Sequence, residues 1–249
     1  DYYGMCSRYG EDGYDAIEWL ATQKWCNGNV GMCGNSGLAI GQWFVAAATP
    51  PSLKCIAPWE GTADFYRESM FPGGIPYPVF ASMIHLSLRG PGLIQDPAED
   101  MKSHPLWNAY WADLKAKVEN IRIPIYATGS YMHSLHLRGA THSFLNARSR
   151  QKWMRLHRDF EWPDFNNPKY MGDLKLFFDR FLKNIHNGWE MTPRLRMGVT
   201  DAYEFDYQVD RPEEEFFPLE RTQYTKFFLN AEDGTLNREQ PAKEASVSY

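Results

Sequence analysis

The tetrapeptide Gly34-Asn35-Ser36-Gly37 is the place where residue types and spacing most clearly allow covalent chemistry. A short apolar run at 29–33 predicts a buried strand before it, and the apolar run at 38–48 predicts a helix after it. Small neighbours let the backbone turn sharply, so the Ser36 hydroxyl would stand clear of the sheet as a nucleophile. The first N–H groups of the helix could stabilise an oxyanion. An ordinary turn is the alternative, because Gly and Asn are common in loops.

A general base for this serine is expected at the end of another strand. In open α/β sheets the reacting groups lie beyond the carboxyl ends of the strands. Residues 152–157 predict a short strand that ends at His157, and the serine precedes the histidine as it does in hydrolases of this sheet type. Such a base would take the Ser36 proton during attack and return it to the leaving group. Charged residues follow His157, so a surface histidine is the alternative, and Asp159, Glu161 and Asp164 are expected to form a solvated acidic loop.

The acid that would orient the histidine is harder to place. The predicted strand at 123–128 leads to residues 132–134, which are Met, His and Ser, and none of them is an acid. Glu60, just beyond the predicted strand at 53–58, is the first candidate, and Asp64 is the second. A role for Glu60 as a loop anchor stays open.

Metal and cofactor chemistry has little support in the sequence. His133 and His136 are three residues apart, but no third ligand is evident nearby, so a loop or helix-start role is expected. The four cysteines fit no zinc spacing and are expected to be reduced thiols. We expect neither a metal nor a cofactor.

The elements around these residues predict an α/β fold. Strand, helix and strand in succession form a parallel βαβ unit, and the strand pattern resumes after a polar, aromatic-rich helical interruption. After Pro193 the hydrophobic period changes from about 3.6 to about 2, which indicates strands at 194–199 and 225–229, separated by an acidic loop at 213–215. The predicted domains are a core at 1–70, a helical cap at 71–121, the rest of the core at 122–190 and the start of a β-rich domain at 191–249.

Composition excludes several function classes. The chain has 249 residues, 43% of them hydrophobic, a net charge of −5 and a pI near 5.8, which argues against nucleic-acid binding. No apolar run reaches the roughly 20 residues needed to cross a bilayer, and no secretory leader is evident, so a cytoplasmic protein is expected. Both ends look cut from a longer protein.

Many short motifs in order resemble the cocaine-esterase/X-prolyl dipeptidyl-peptidase-like (CocE/NonD) hydrolases. They include Gly34-Asn35-Ser36, Ala57-Pro58-Trp59-Glu60-Gly61 and Glu161-Trp162, together with the runs at 25–32, 42–43, 64–68, 104–106, 110–111, 135–136, 138–139, 152–153, 177–179, 181–183 and 187–189. The resemblance implies an α/β-hydrolase with a helical cap and a C-terminal jelly-roll domain. It also implies a serine hydrolase with Ser36 as nucleophile, His157 as base and the Gly37 N–H as an oxyanion donor.

Two departures from the family pattern leave the function open between two readings. Gly37 replaces a large aromatic residue, and Met132 aligns with the family's aspartate. The first reading is a hydrolase of small esters, amides or short peptides that forms an acyl-enzyme on Ser36, with Glu60 as the acid. The second is an inactive relative or fragment with a binding role. Exposed sheet edges would also favour a homo-oligomer.

Overall fold

The computed structural model describes residues 6–87, 90–132, 135–200, 208–210 and 220–248. The chain divides into two compact units, residues 1–215 and residues 216–249. The predicted acidic loop at 213–215 lies outside the described residues, as do residues 1–5 and His133. Within the described part, no helix combines the length and the apolar composition that crossing a membrane requires.

The larger unit is built on a six-stranded sheet. Its strands, in both chain and sheet order, are β1 (Val30–Asn35), β2 (Leu53–Trp59), β3 (Ile125–Ser130), β4 (Lys152–His157), β5 (Leu195–Thr200) and β6 (Gln208–Asp210). The strands β1 to β5 run parallel, and β6 is antiparallel to β5. The predicted α/β class is confirmed. Because parallel strands share a direction, the ends of β1 to β4 meet at one edge of the sheet.

The described residues of this unit contain eight α-helices. They are α1 (Ser7–Ala21), α2 (Gly37–Ala47), α3 (Pro78–Ser87), α4 (Pro97–Ser103), α5 (Ala109–Asp113), α6 (Leu137–Asn146), α7 (Glu161–Phe165) and α8 (Pro168–Lys183). Helix α2 packs on β1 and β2, and α6 packs on β3. The main aromatic core joins β2 to α8, with Trp59, Trp153 and Phe177 fully or almost fully buried. Large rings of this kind contribute most of the apolar area that a core removes from water.

The segment at 71–121, predicted as a cap, contains α3, α4 and α5 and a core of its own. Trp111 is fully buried and packs against Tyr66 and Phe71. Trp107 is exposed, with the Arg67 guanidinium 4.2 Å from its ring centroid. The buried aromatic positions are therefore explained by packing.

The strand predicted at 194–199 forms as β5 and joins the central sheet beside β4. The start of a separate β-rich domain at residue 191 stays a prediction. The smaller unit, residues 216–249, contains an antiparallel pair, β7 (Phe228–Asn230) and β8 (Thr235–Asn237).

Gly139→Ala tests the contact between α6 and the end of β2. A Cβ at Gly139 would lie 2.5 Å from the Thr62 Cα and 2.6 Å from the Gly61 oxygen, so the backbones would have to separate. We expect the free energy of unfolding, measured by urea denaturation, to fall by about 1–3 kcal/mol.

The matched control is Gly172→Ala in the exposed part of α8, where a Cβ meets no atom within 4 Å. This variant should gain about 0.5–1 kcal/mol, because alanine favours the helix. Equal effects at the two glycines would contradict the close packing of α6.

Candidate active site

Ser36 occupies the turn between β1 and α2. Its backbone lies at φ 54° and ψ −120°, a conformation that non-glycine residues rarely adopt. The Ser36 N–H donates to the main-chain oxygens of Trp59 and Glu60, both at 3.1 Å, which fastens the turn to the end of β2. The predicted strand–turn–helix around Ser36 is confirmed. Strain held in this way is typical of functional turns.

Gly37 is the first residue of α2 and is half-buried. The first N–H groups of a helix have no acceptor within it, and the helix dipole places partial positive charge there. A Cβ at Gly37 would meet no atom within 4 Å, so open space lies beside the serine where the family has an aromatic side chain.

The structure brings His157 and Glu60 together. His157 ends β4 and is 0% exposed, which excludes the surface-histidine alternative. Its Nε2 lies 3.0 Å from the Glu60 Oε1 and 3.3 Å from the Asp164 Oδ2. Glu60, also buried, follows β2 at φ 57°. The pairing of this carboxyl group with this histidine follows the sequence prediction; their catalytic roles stay predictions.

Asp164 connects the pair to a buried cation. It accepts hydrogen bonds from the Trp59 Nε1 at 2.9 Å and from the Arg155 Nη1 at 3.0 Å, and Arg155 also bonds it through Nη2. Arg155 is almost fully buried. This ion pair neutralises a charge that would be costly to bury alone.

Burial shifts both members of the His157–Glu60 pair toward their neutral forms. Burial, followed by the charges of Glu161 and Asp164, raises the pKa of Glu60 to about 8. Burial, followed by the charge of Arg155, lowers the pKa of His157 to about 3. At neutral pH a protonated carboxyl group therefore faces an uncharged imidazole.

The strand register places His157 far from Ser36. Asn35 pairs with Trp59 on β2, Trp59 with Thr128 on β3, and Ser130 with His157 on β4. Three strand spacings of about 4.8 Å amount to roughly 14 Å. A histidine and a serine joined by a hydrogen bond span only roughly 10 Å between Cα atoms. Within the described part of the chain, the Ser36 hydroxyl makes no hydrogen bond.

The other candidates for the acid have different surroundings. The Asp64 carboxylate accepts from the Arg67 backbone at 3.1 Å and from its Nη1 at 2.9 Å, so it anchors the loop after β2. Met132, where the resemblance implies an aspartate, is 62% exposed and offers no carboxylate.

A second buried histidine–carboxylate pair was missed by the sequence analysis. His136, which directly precedes α6 as expected for a helix start, is 2% exposed, and its Nε2 lies 3.5 Å from the Glu161 Oε2. Glu161 begins α7 and is 4% exposed. The prediction that Asp159, Glu161 and Asp164 form a solvated acidic loop is wrong for the latter two, which are buried. The available signal was that residues 135–136 and 161–162 both belong to the motifs of the resemblance.

Glu60→Gln tests the protonation of the buried pair. The folded protein holds the Glu60 proton up to about pH 8, whereas the unfolded chain releases it near 4.5. The free energy of unfolding of the unchanged protein should therefore fall between pH 6 and pH 8, by about 1.4 kcal/mol or more. Urea denaturation at both pH values should show a flatter dependence in the variant, and Glu119→Gln, at an exposed position, controls for the lost charge. Parallel pH curves for Glu60→Gln and the unchanged protein would contradict a raised pKa.

Comparisons with known proteins identify relatives of this chain. The family model described as X-Pro dipeptidyl-peptidase (S15 family) matches residues 4–89. A cocaine esterase from Rhodococcus sp. (strain MB1 Bresler) is 41% identical over 83 residues, which are 33% of this chain and 14% of that protein. A putative serine esterase from Mycobacterium tuberculosis is 36% identical over 64 residues, covering 26% of this chain and 10% of that protein.

The crystal structure of a CocE/NonD family hydrolase from Staphylococcus aureus is 36% identical, with a TM-score of 0.87, and the match covers 96% of this chain and 44% of that one. An α-amino acid ester hydrolase shares the fold at 18% identity, with a TM-score of 0.60 over 76% of this chain and 40% of that one. The chain thus spans less than half the length of each of these relatives. From the motifs, the fold and these matches, the chain is similar over almost its whole length to the CocE/NonD family of α/β-hydrolases.

Proposed function

We propose that this protein is a serine hydrolase that cleaves an ester or amide through an acyl-enzyme on Ser36. The observation that carries the proposal is the conformation of Ser36, a non-glycine residue held at φ 54° between a parallel strand and a helix N-terminus. A serine in this conformation presents Oγ above the edge of the sheet.

The reaction proceeds in two halves. The Ser36 Oγ attacks the carbonyl carbon while a histidine takes its proton, and the Gly37 N–H at the start of α2 stabilises the oxyanion. Collapse of the tetrahedral intermediate expels the alcohol or amine, which takes the proton from the histidine. Water then attacks the acyl group with help from the same base, and Ser36 is regenerated.

The sheet edge offers two buried histidines as the base. His157, with Glu60 as its acid, is the candidate expected from the sequence, and the 3.0 Å contact between them supports their pairing. His136, which contacts Glu161, is the second candidate.

The substrate class follows from the relatives. Their names describe esterases and an X-Pro dipeptidyl-peptidase, so small esters, amides or short peptides are the proposed substrates. A cytoplasmic location, a homo-oligomeric state, the cap at 71–121 and the jelly roll beginning at 191 stay predictions.

Ser36→Ala tests the nucleophile. A fluorophosphonate probe should tag the peptide that contains Ser36 in the unchanged protein, and the variant should lose the tag at least 100-fold because no other serine occupies such a turn among the described residues. Peptide mass mapping identifies the site, and circular dichroism checks the fold. Ser103→Ala, at an exposed position in α4, is the matched control and should keep the tag.

The opposite result has a clear meaning. A folded, unchanged protein that takes up no tag at Ser36 would contradict the hydrolase proposal and favour a binding role.

Gly37→Phe tests the space beside the nucleophile. The variant should fold, because a Cβ meets no atom within 4 Å and the backbone there needs no glycine. Hydrolysis of p-nitrophenyl butyrate should fall at least about threefold more than hydrolysis of the smaller acetate, since the ring occupies space next to Oγ. An equal change for the two esters would show that this space does not receive the acyl group.

A further inference from the structure

We propose that His136 is the general base for Ser36 and that Glu161 is the positioning residue that orients it. This inference rests on the proposed function, because it concerns the activation of the same nucleophile. The His157–Glu60 pair then has a structural role at the carboxyl ends of the strands.

The first support is the packing of α6. An ideal Cβ at Gly139, in the first turn of α6, would lie 2.5 Å from the Thr62 Cα. An ideal Cβ at Gly61 would in turn lie 2.7 Å from the Ala39 Cβ, in the first turn of α2. The loop that follows β2 is therefore in direct contact with the start of α6 on one side and with the start of α2 on the other. His136 lies one turn before Gly139, so a continuous set of contacts connects the start of α6 with the serine turn.

The second support is the path of the chain after β4. Three residues after β4 ends, the chain enters α7, which packs against β1 although β1 and β4 are separated by two strands. The chain therefore returns across the sheet edge toward Ser36. Glu161 is the first residue of α7, and it lies close enough to Glu60 for its charge to raise the pKa of that carboxyl group.

The third support is the pair itself. The His136 Nε2 and the Glu161 Oε2 are 3.5 Å apart, and both side chains are almost fully buried. A carboxylate beside one ring nitrogen favours the tautomer that carries its proton there, and the opposite nitrogen is then the proton acceptor. In the proposed step the Ser36 Oγ–H proton moves to the His136 Nδ1 as the Oγ–acyl bond forms, and it then moves to the leaving alcohol or amine.

His157 fits this role less well. It is about three strand spacings from Ser36 and already contacts Glu60 and Asp164. The buried cation Arg155 bonds the same Asp164, and a second positive charge on His157 would lie beside it. Its contacts instead brace Glu60, whose main-chain oxygen accepts the Ser36 N–H.

The test compares alanine variants of both histidines by the rate of fluorophosphonate labelling, with and without added imidazole. His136→Ala should lower the rate at Ser36 at least 100-fold, and imidazole should restore part of it because the small base can enter the vacated space. His157→Ala should show no imidazole rescue. His142→Ala, on a half-buried part of α6, is the matched control and should label like the unchanged protein.

Glu161→Gln provides a second measurement that keeps the side-chain shape should His136→Ala not fold. Its kcat for p-nitrophenyl acetate should fall at least tenfold with KM little changed, and Glu161→Asp should recover part of kcat. A purely structural role of Glu161 would not lower kcat while leaving KM little changed.

Two results overturn the inference in different ways. Labelling of His136→Ala at the unchanged rate, or rescue of His157→Ala alone, would reject His136 as the base while the Ser36 nucleophile stands. Absence of any tag on the folded, unchanged protein would reject the proposed function and this inference with it.

Discussion

The hydrogen bonds from the Ser36 N–H to the main-chain oxygens of Trp59 and Glu60 are the constraint on which the site depends. They hold a strained residue at the end of an outer strand of the described sheet against the end of the next strand. Glu60 is itself at positive φ, and its own N–H donates to the Thr128 oxygen at 2.9 Å. The Tyr131 N–H donates to the His157 oxygen, also at 2.9 Å. Backbone hydrogen bonds thus link the end of each strand to the end of the next. They fix how far each side chain of the site stands beyond the carboxyl ends of the strands.

Burial determines the chemistry available at this edge. Three carboxyl groups, those of Glu60, Glu161 and Asp164, lie out of solvent, and Arg155 bonds only the last of them directly. Burial therefore favours protonated Glu60 and neutral His157, as their shifted pKa values indicate. A neutral pair costs less to bury than two charges do. This explains how the protein can keep a polar layer directly above an aromatic core.

Local sequence patterns predicted the parts of the site that depend on neighbouring residues. The turn at Ser36 follows from an apolar strand, small residues and an apolar helix in succession, and it formed where expected. The pairing of His157 with Glu60 was predicted because both follow strand ends, and parallel strands bring such ends together. The α/β class follows from the same alternation.

The features that could not be predicted from the sequence depend on contacts between residues that are distant in the chain. Asp159, Glu161 and Asp164 look like a solvated loop in the sequence, because nothing local shows that the chain returns from β4 to β1. The return buries Glu161 and brings it to His136, two residues that are 25 positions apart in the chain. Likewise, the period-2 pattern after Pro193 identifies β5 as a strand but does not indicate which sheet it joins.

The most direct measurement is a crystal structure of the chain after reaction with a phosphonate ester. We expect a covalent bond from phosphorus to the Ser36 Oγ, with the phosphoryl oxygen accepting from the Gly37 N–H. We also expect the His136 ring within hydrogen-bond distance of the Ser36 Oγ. An adduct on another residue, or one whose oxygen points away from the start of α2, would contradict the proposed roles of Ser36 and Gly37.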